Sequence, residues 1–174
     1  MRLKLRKFNT VKSTNDIAHQ LIKKKLNKPT MVTSKTQTQG RGTMGKKWIS
    51  KKGNIFVSIF FEIDPKKINF KHYAVLNAFL IKKIISKYIN KKINIKWPND
   101  LLIERKKICG ILQEVISFEK KFFLIVGVGI NSYFSPYIPG CKTSCLNDYL
   151  KKNIDNKKIL KEIKKKYEKF INET

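Results

Sequence analysis

The sequence predicts an α+β domain, a mixed and mostly antiparallel sheet packed with helices. Three observations predict it. Apolar runs at 55–61 and 122–130 have strand length. Segments 73–88 and 156–170 carry their apolar residues at helical spacing. Strand-like segments also follow one another across short turns, as at 101–103 and 107–115, which only Glu104-Arg105-Lys106 separates. A chain of 174 residues is long enough to bury one full core, and no repeat or linker divides it, so 1–174 is expected to form a single domain.

Taken in order, residues 3–8 alternate apolar with cationic and read as a first strand. Ser13-Thr14-Asn15-Asp16 then looks like a helix start, with a hydroxyl N-cap and an acid in the first turn. Ile17, Ala18, Leu21 and Ile22 continue that helix to the lysine run 23–25. Pro29 ends the connection, and 30–35 is a strand. Residues 36–53 are polar, glycine-bearing and cationic, with few large apolar residues besides Met44, Trp48 and Ile49. A long loop in a compact domain is usually functional, and this one is expected to be a mobile lid. A strand at 54–61 ends at Asp64-Pro65, and Ala78, Ile81 and Ile85 mark 73–88 as a buried helix. Strands follow at 93–96, 101–103, 107–115 and 122–130. Pro136, Pro139 and Gly140 make 133–145 irregular, and Ile159, Leu160, Ile163 and Tyr167 form the stripe of a final amphipathic helix.

The formal charge is +27, from 39 basic and 12 acidic residues. Lysine, isoleucine and asparagine share A/T-rich codons, so biased base composition explains the excess as well as selection for an anionic partner does. Such a charge attracts nucleotides, nucleic acids and acidic proteins whatever its origin. A lysine-rich nucleic-acid binder is the reading from a different class, but no reader motif is present and specific DNA binding is not expected. No apolar run is long enough to span a bilayer and residues 1–8 lack the apolar core of a signal peptide, so no membrane partner and a cytoplasmic location are expected. Cys109, Cys141 and Cys145 are odd in number and have no histidine nearby, which suits free thiols and no metal site.

Two glycine patterns overlap at Gly40-Arg41-Gly42-Thr43-Met44-Gly45-Lys46. A dinucleotide fingerprint needs its last glycine to open a helix, but the residues that follow lead into a strand. A phosphate-binding P-loop needs Ser or Thr after its lysine, where Lys47 stands. What survives is physical: glycines let backbone approach an anion, and Arg41, Lys46 and Lys47 can neutralise phosphate.

The densest chemistry lies at Lys96-Trp97-Pro98-Asn99-Asp100-Leu101, followed by Lys106-Lys107-Ile108-Cys109-Gly110. It combines a ring, a fixed bend, an amide, a carboxylate and several cations between two strands. Together with Ser13-Thr14-Asn15, the Gln37 to Trp48 loop and Gly127-Val128-Gly129-Ile130-Asn131, this hairpin resembles the catalytic domain of biotin–protein ligases, members of the biotin/lipoate ligase superfamily with a class II synthetase-like fold. Four segments in the family's order span 13–131.

The resemblance implies a two-step, AMP-forming ligase. Biotin and ATP with Mg2+ give biotinyl-5′-AMP, and a lysine of a biotin carboxyl carrier protein, from acetyl-CoA carboxylase or a similar enzyme, then takes the biotin. A carboxylate must attack a phosphate while both are negative, so the site needs cations. Lys107 and Arg41 are expected to screen that repulsion, and Asp100 to orient the incoming amine and favour its neutral form. Ser13, Thr14, Asn15, Gln37, Gly40, Arg41, Lys107 and Gly110 are expected to bind biotin. Arg41, Lys46, Trp48, Asn99, Lys107 and Asn131 are expected to bind ATP, with Trp48 stacked on adenine and the two asparagines reading its edges. Trp97 is expected to fill space beneath the hairpin bend. Thr43 departs from the family's basic residue at that position, which implies looser retention of the adenylate. The resemblance leaves no room for an N-terminal helix-turn-helix domain or a C-terminal β-barrel, and leaves the oligomeric state open. A lipoate or octanoyl ligase or transferase of the same fold is the nearest alternative.

Overall fold

A computed structural model describes residues 1–26, 28–67 and 69–173. Seven strands form one mixed sheet: β1 (Lys4–Val11), β2 (Thr30–Gln37), β3 (Ile55–Ile63), β4 (Ile93–Lys96), β5 (Asp100–Ile103), β6 (Lys106–Phe118) and β7 (Lys121–Ile130). Their spatial order is β1-β2-β3-β7-β6-β5-β4. Only β1 and β2 run parallel, because α1 (Thr14–Lys23) crosses between them; every other pair is antiparallel. The mixed, mostly antiparallel α+β class expected from the sequence is the one observed.

The two faces of the sheet are unlike. On one, Val57, Ile59 and Phe61 of β3 and Leu124, Val126 and Val128 of β7 bury against α2 (Phe70–Ile85) and α3 (Asn156–Glu173). Ile81, Ile84, Ile159, Ile163 and Tyr167 supply the helical side of this main core. On the other face a smaller cluster, Ala18, Ile22, Val32, Phe60, Phe123 and Ile125, seats α1. The alternation of β3 and β7 thus assigns each residue a face by parity. Ser58 of β3, Gly127 and Gly129 of β7, and Gly110, Leu112 and Glu114 of β6 fall on the α1 side, Ser58, Gly127 and Glu114 against the start of α1. Gly110, Leu112, Gly127 and Gly129 become the cleft floor.

Element boundaries differ from expectation mainly at turns. The β5–β6 turn is Glu104-Arg105, with φ of 50° and 63°, so Lys106 already belongs to β6. The β6–β7 turn is Glu119-Lys120, with φ of 49° and 63°. Both are two-residue hairpin loops with two left-handed residues, the type whose twist matches the strands, built here without glycine. α2 begins at Phe70, three residues before the apolar pattern does, capped by Asn69, whose side chain accepts from Lys71 N. Among the described residues no helix is long and apolar enough to cross a membrane.

Candidate active site

The N-terminus of α1 supplies the first wall. Ser13 sits at the N-cap in an extended conformation, but its hydroxyl makes no capping bond. The cap comes from Gln37 at the end of β2, whose Oε1 accepts from Thr14 N at 2.8 Å and from Thr14 Oγ1 at 3.1 Å. This corrects the expected hydroxyl cap: a longer side chain from a neighbouring strand reaches the orphan amide first. Ser58, the polar residue inside the apolar run of β3, lies 2.7 Å from Thr14 Oγ1 and 2.5 Å from Asn15 Oδ1. A Cβ on Gly127 would fall 2.3 Å from Asn15 Oδ1, so glycine there makes room for the amide. Ser13, Thr14 and Asn15 are all buried, and the corner is a compact set of hydroxyl and amide groups.

The second wall is the 38–54 loop. It folds back on itself through Gly42 N to Lys46 O (2.7 Å) and Trp48 N to Gly40 O (2.8 Å), around a short 3-10 turn at Thr43–Gly45. Gly40 is required by close approach, since a Cβ there would sit 2.5 Å from Trp48 O. The next element after Gly45 is β3 rather than a long helix, in keeping with rejection of the dinucleotide fingerprint.

Trp48 lies flat on the sheet. A Cβ on Gly110 would come within 2.6 Å of its ring and one on Gly129 within 2.4 Å. These glycines face each other across β6 and β7 in register, so together they make a shallow trough for a planar ring. Lys107 Nζ stands 5.4 Å from the Trp48 ring centroid, within cation–π range.

The third wall is the β4–β6 hairpin. Trp97-Pro98 is a cis peptide, and Asn99 in the bend accepts from Ile111 N at 2.9 Å through its carbonyl and donates from Nδ2 to Ile111 O at 3.0 Å. Trp97 is 59% exposed, so it does not fill space beneath the bend as expected; it lies in the connection between the end of β4 at Lys96 and the start of β5 at Asp100. Between β5 and β6 the register shifts: Leu101 pairs with Cys109, but Leu102 pairs with Lys107. Ile108 and Cys109 are therefore both buried in the main core, and Lys107 and Gly110, three residues apart, share the cleft face. This β-bulge re-aims one side chain. Lys107 Nζ then pairs with Asp100 Oδ1 at 2.7 Å.

These walls enclose a cleft of about 540 Å³. Ser13, Thr14, Asn15, Gln37, Arg41, Lys46, Trp48, Asn99, Asp100, Lys107 and Gly110 all line it, so segments far apart in sequence meet there. Gly40 and Asn131 do not line it. Asn131 is buried beside it, donating to Ser144 O at 3.2 Å, and its Oδ1 has no partner. Asp100 is the one carboxylate among the lining residues, whereas Lys46, Lys47, Lys96 and Lys107 cluster toward the hairpin and loop.

Arg41 is engaged elsewhere. Its two terminal nitrogens donate to Glu114 Oε1 and Oε2, both at 2.9 Å, and one lies 3.0 Å from Asp16 Oδ1. Glu114 also accepts from Asn15 Nδ2 at 2.6 Å, and His19 Nε2 is 3.5 Å away. Burial pushes the Glu114 carboxyl up, but hydrogen bonds from His19, Arg41 and Asn15 and the arginine's charge outweigh it and hold it at about 2. Burial also opposes the charge of Arg41, and the two carboxylates more than compensate, raising it. The motifs did not single out Glu114, Ser58 or the glycines 127 and 129 as site residues. Two signals were there: a polar residue inside an apolar strand, and a period-2 match of Glu114 to Gly110.

The profile of the Biotin/lipoate A/B protein ligase family matches residues 8–131. The chain belongs to that family. Among similar curated proteins, the bifunctional ligase/repressor BirA of Bacillus subtilis is 34% identical over 125 residues, 71% of this chain and 38% of the relative. The chloroplastic biotin–protein ligase 1 of Arabidopsis thaliana is 36% identical over 132 residues, 72% of this chain and 34% of the relative. The chain thus spans well under half the length of these relatives. A solved structure of biotin protein ligase from Aquifex aeolicus, in complex with biotin and ATP, superposes with a TM-score of 0.78 at 27% identity, covering 95% of this chain and 69% of that one.

Proposed function

We propose that this chain activates biotin with ATP to biotinyl-5′-AMP and passes biotin to a lysine of a carboxyl carrier domain. One observation carries the reading: a single cleft joins a corner of buried hydroxyl and amide groups to a lysine-bearing hairpin wall, with the Trp48 ring seated on the Gly110–Gly129 trough. The relative whose structure holds biotin and ATP supports the same pairing of ligands.

In this reading the ureido ring of biotin meets Ser13, Thr14 and Asn15, whose short donors and acceptors suit a rigid urea, with Gln37 and Arg41 closing over it. The carboxylate points toward Lys107. Two anions repel each other by several kcal/mol at bonding distance in a partly desolvated site, so the cations that flank them set the barrier. Lys107, with Lys46 and Lys47 lining the same cleft, screens the attack of the biotin carboxylate on the α-phosphorus as pyrophosphate departs. Trp48 offers its ring to adenine. Asn99 reads an adenine edge, and Asn131, buried beside the cleft, supports that wall through its bond to Ser144 O. In the second step the carrier amine attacks the mixed anhydride and AMP leaves. As Lys107 turns to phosphate it releases Asp100, which orients the amine and takes part as its proton is lost. The cleft lacks the paired carboxylates that hold a divalent cation unaided, so Mg2+ fits it as an ion carried by the nucleotide phosphates.

The test is incubation of the full chain with biotin, ATP, magnesium and a carrier domain, read by avidin blot. Lys107→Ala is expected to lower the signal at least ~100-fold, the range for removing one electrostatic stabiliser. Pyrophosphate exchange driven by lipoate but not by biotin would move the assignment to lipoate ligation.

A further inference from the structure

We infer that Glu114 and Asp16 are specificity-determining residues: by sharing Arg41 they cancel its charge, so the corner it serves takes an uncharged polar ring and turns away an anion. This rests on the reading of the cleft as an acid-activating site.

Arginine is usually the residue that captures carboxylate or phosphate in a two-pronged grip. Here both prongs are already taken, at 2.9 Å each, by Glu114, and Asp16 adds a second carboxylate at 3.0 Å. Two carboxylates thus share one guanidinium, and its charge is fully compensated. Neither acid lines the cleft; both stand behind Arg41 and act through it. The hairpin wall holds Lys96 and Lys107, with Asp100 as the lone lining acid, while Lys46 and Lys47 stand on Arg41's own loop, where Lys47 bridges back to Arg41. With the Arg41 guanidinium already taken and Lys107 lining the hairpin wall, an acid with a neutral polar ring has one favoured orientation, its carboxylate toward Lys107.

Glu114 is well placed to impose this. It lies in the same face as Gly110 and Leu112, half-buried in an apolar strand, where a carboxylate persists only if paired. Asn15 Nδ2 donates to it at 2.6 Å, so the group that neutralises Arg41 also sets the amide that faces the ligand. His19, 3.5 Å from Glu114, is the remaining titratable group against the clasp.

The experiment is calorimetric titration of the full chain with inorganic pyrophosphate and, separately, with biotin. Wild type is compared with Asp16→Asn, Glu114→Gln, their double variant and Glu114→Asp. Unmasking Arg41 is expected to tighten pyrophosphate binding about tenfold in the double variant and weaken biotin, as one freed charge-assisted contact allows. Glu114→Asp, which keeps the charge, is expected to stay near wild type. Asp16 is a surface residue, so Asp16→Asn gives a partial step even if the Glu114 variants fold poorly. Unchanged pyrophosphate affinity throughout would reduce the clasp to a structural tie and overturn the inference. Absence of biotin binding in wild type, with the pyrophosphate gain intact, overturns the proposed function and leaves this assignment standing.

Discussion

Glu114 shows how much one side chain can carry. It joins α1, the 38–54 loop and β6 through Asn15, His19 and Arg41. Its folded-state pKa of about 2 lies below the ordinary glutamate value of 4.5. A depressed carboxylate contributes stability that is present above its unfolded pKa and is lost as pH falls through its folded one. Discounting for its partial exposure, that contribution is on the order of 2 kcal/mol. Urea denaturation should show Glu114→Gln weaker than wild type by about that much at pH 7. The gap should narrow from about pH 4.5 downward and be mostly gone near pH 2. A gap independent of pH would mean that Glu114 acts through packing rather than charge.

Among the elements, the hairpins are where local sequence and local geometry disagree. Glu119 and Lys120 both adopt left-handed φ, which costs a residue with a Cβ. Tertiary pairing along β6 and β7 overrides that preference, because Phe118 and Lys121 are the last partners of a long ladder. Replacing Glu119-Lys120 with Asn-Gly should raise stability by about 1 kcal/mol, since this pair prefers the turn already adopted. The exposed Lys25–Glu119 pair lost in the exchange is worth little. Thermal unfolding and the avidin blot together check this: a higher midpoint with unchanged biotin transfer is expected, because the turn lies at the end of the β6–β7 ladder away from Gly110 and Gly129.

Taken whole, the molecule spends its acids on structure. Asp64 and Asp155 accept backbone N–H groups, Asp148 anchors the turn at Cys145, and the remaining carboxylates sit in ion pairs. With 39 basic residues against 12 acids, the net positive charge repels itself. Raising sodium chloride from about 10 mM to about 500 mM should therefore raise the unfolding midpoint, since screening shortens the reach of that repulsion from ~30 Å to a few Å. Sequence-blind retention on DNA should disappear over the same range. A midpoint that falls with salt would show that the paired carboxylates, not the repulsion, dominate.

The sequence by itself determined the class of fold and most of its strands and helices, because alternation and helical spacing are imposed by which face must be buried. It also singled out the segments that meet at the cleft, because glycines, amides and cations in such density have no use in a core. Sequence spacing alone would have put Lys107 and Gly110 on opposite faces of β6; the bulge at Ile108 and Cys109 puts them on one. Gln37 rather than Ser13 caps α1, and Trp97 faces solvent, because partners and empty space are fixed by neighbours distant in the chain. Only the tertiary structure decided that Arg41 shares its charge with Glu114 and Asp16, residues 73 and 25 positions away. Charge cancellation depends on distance in space, and that distance exists only once β6, α1 and the loop have packed together.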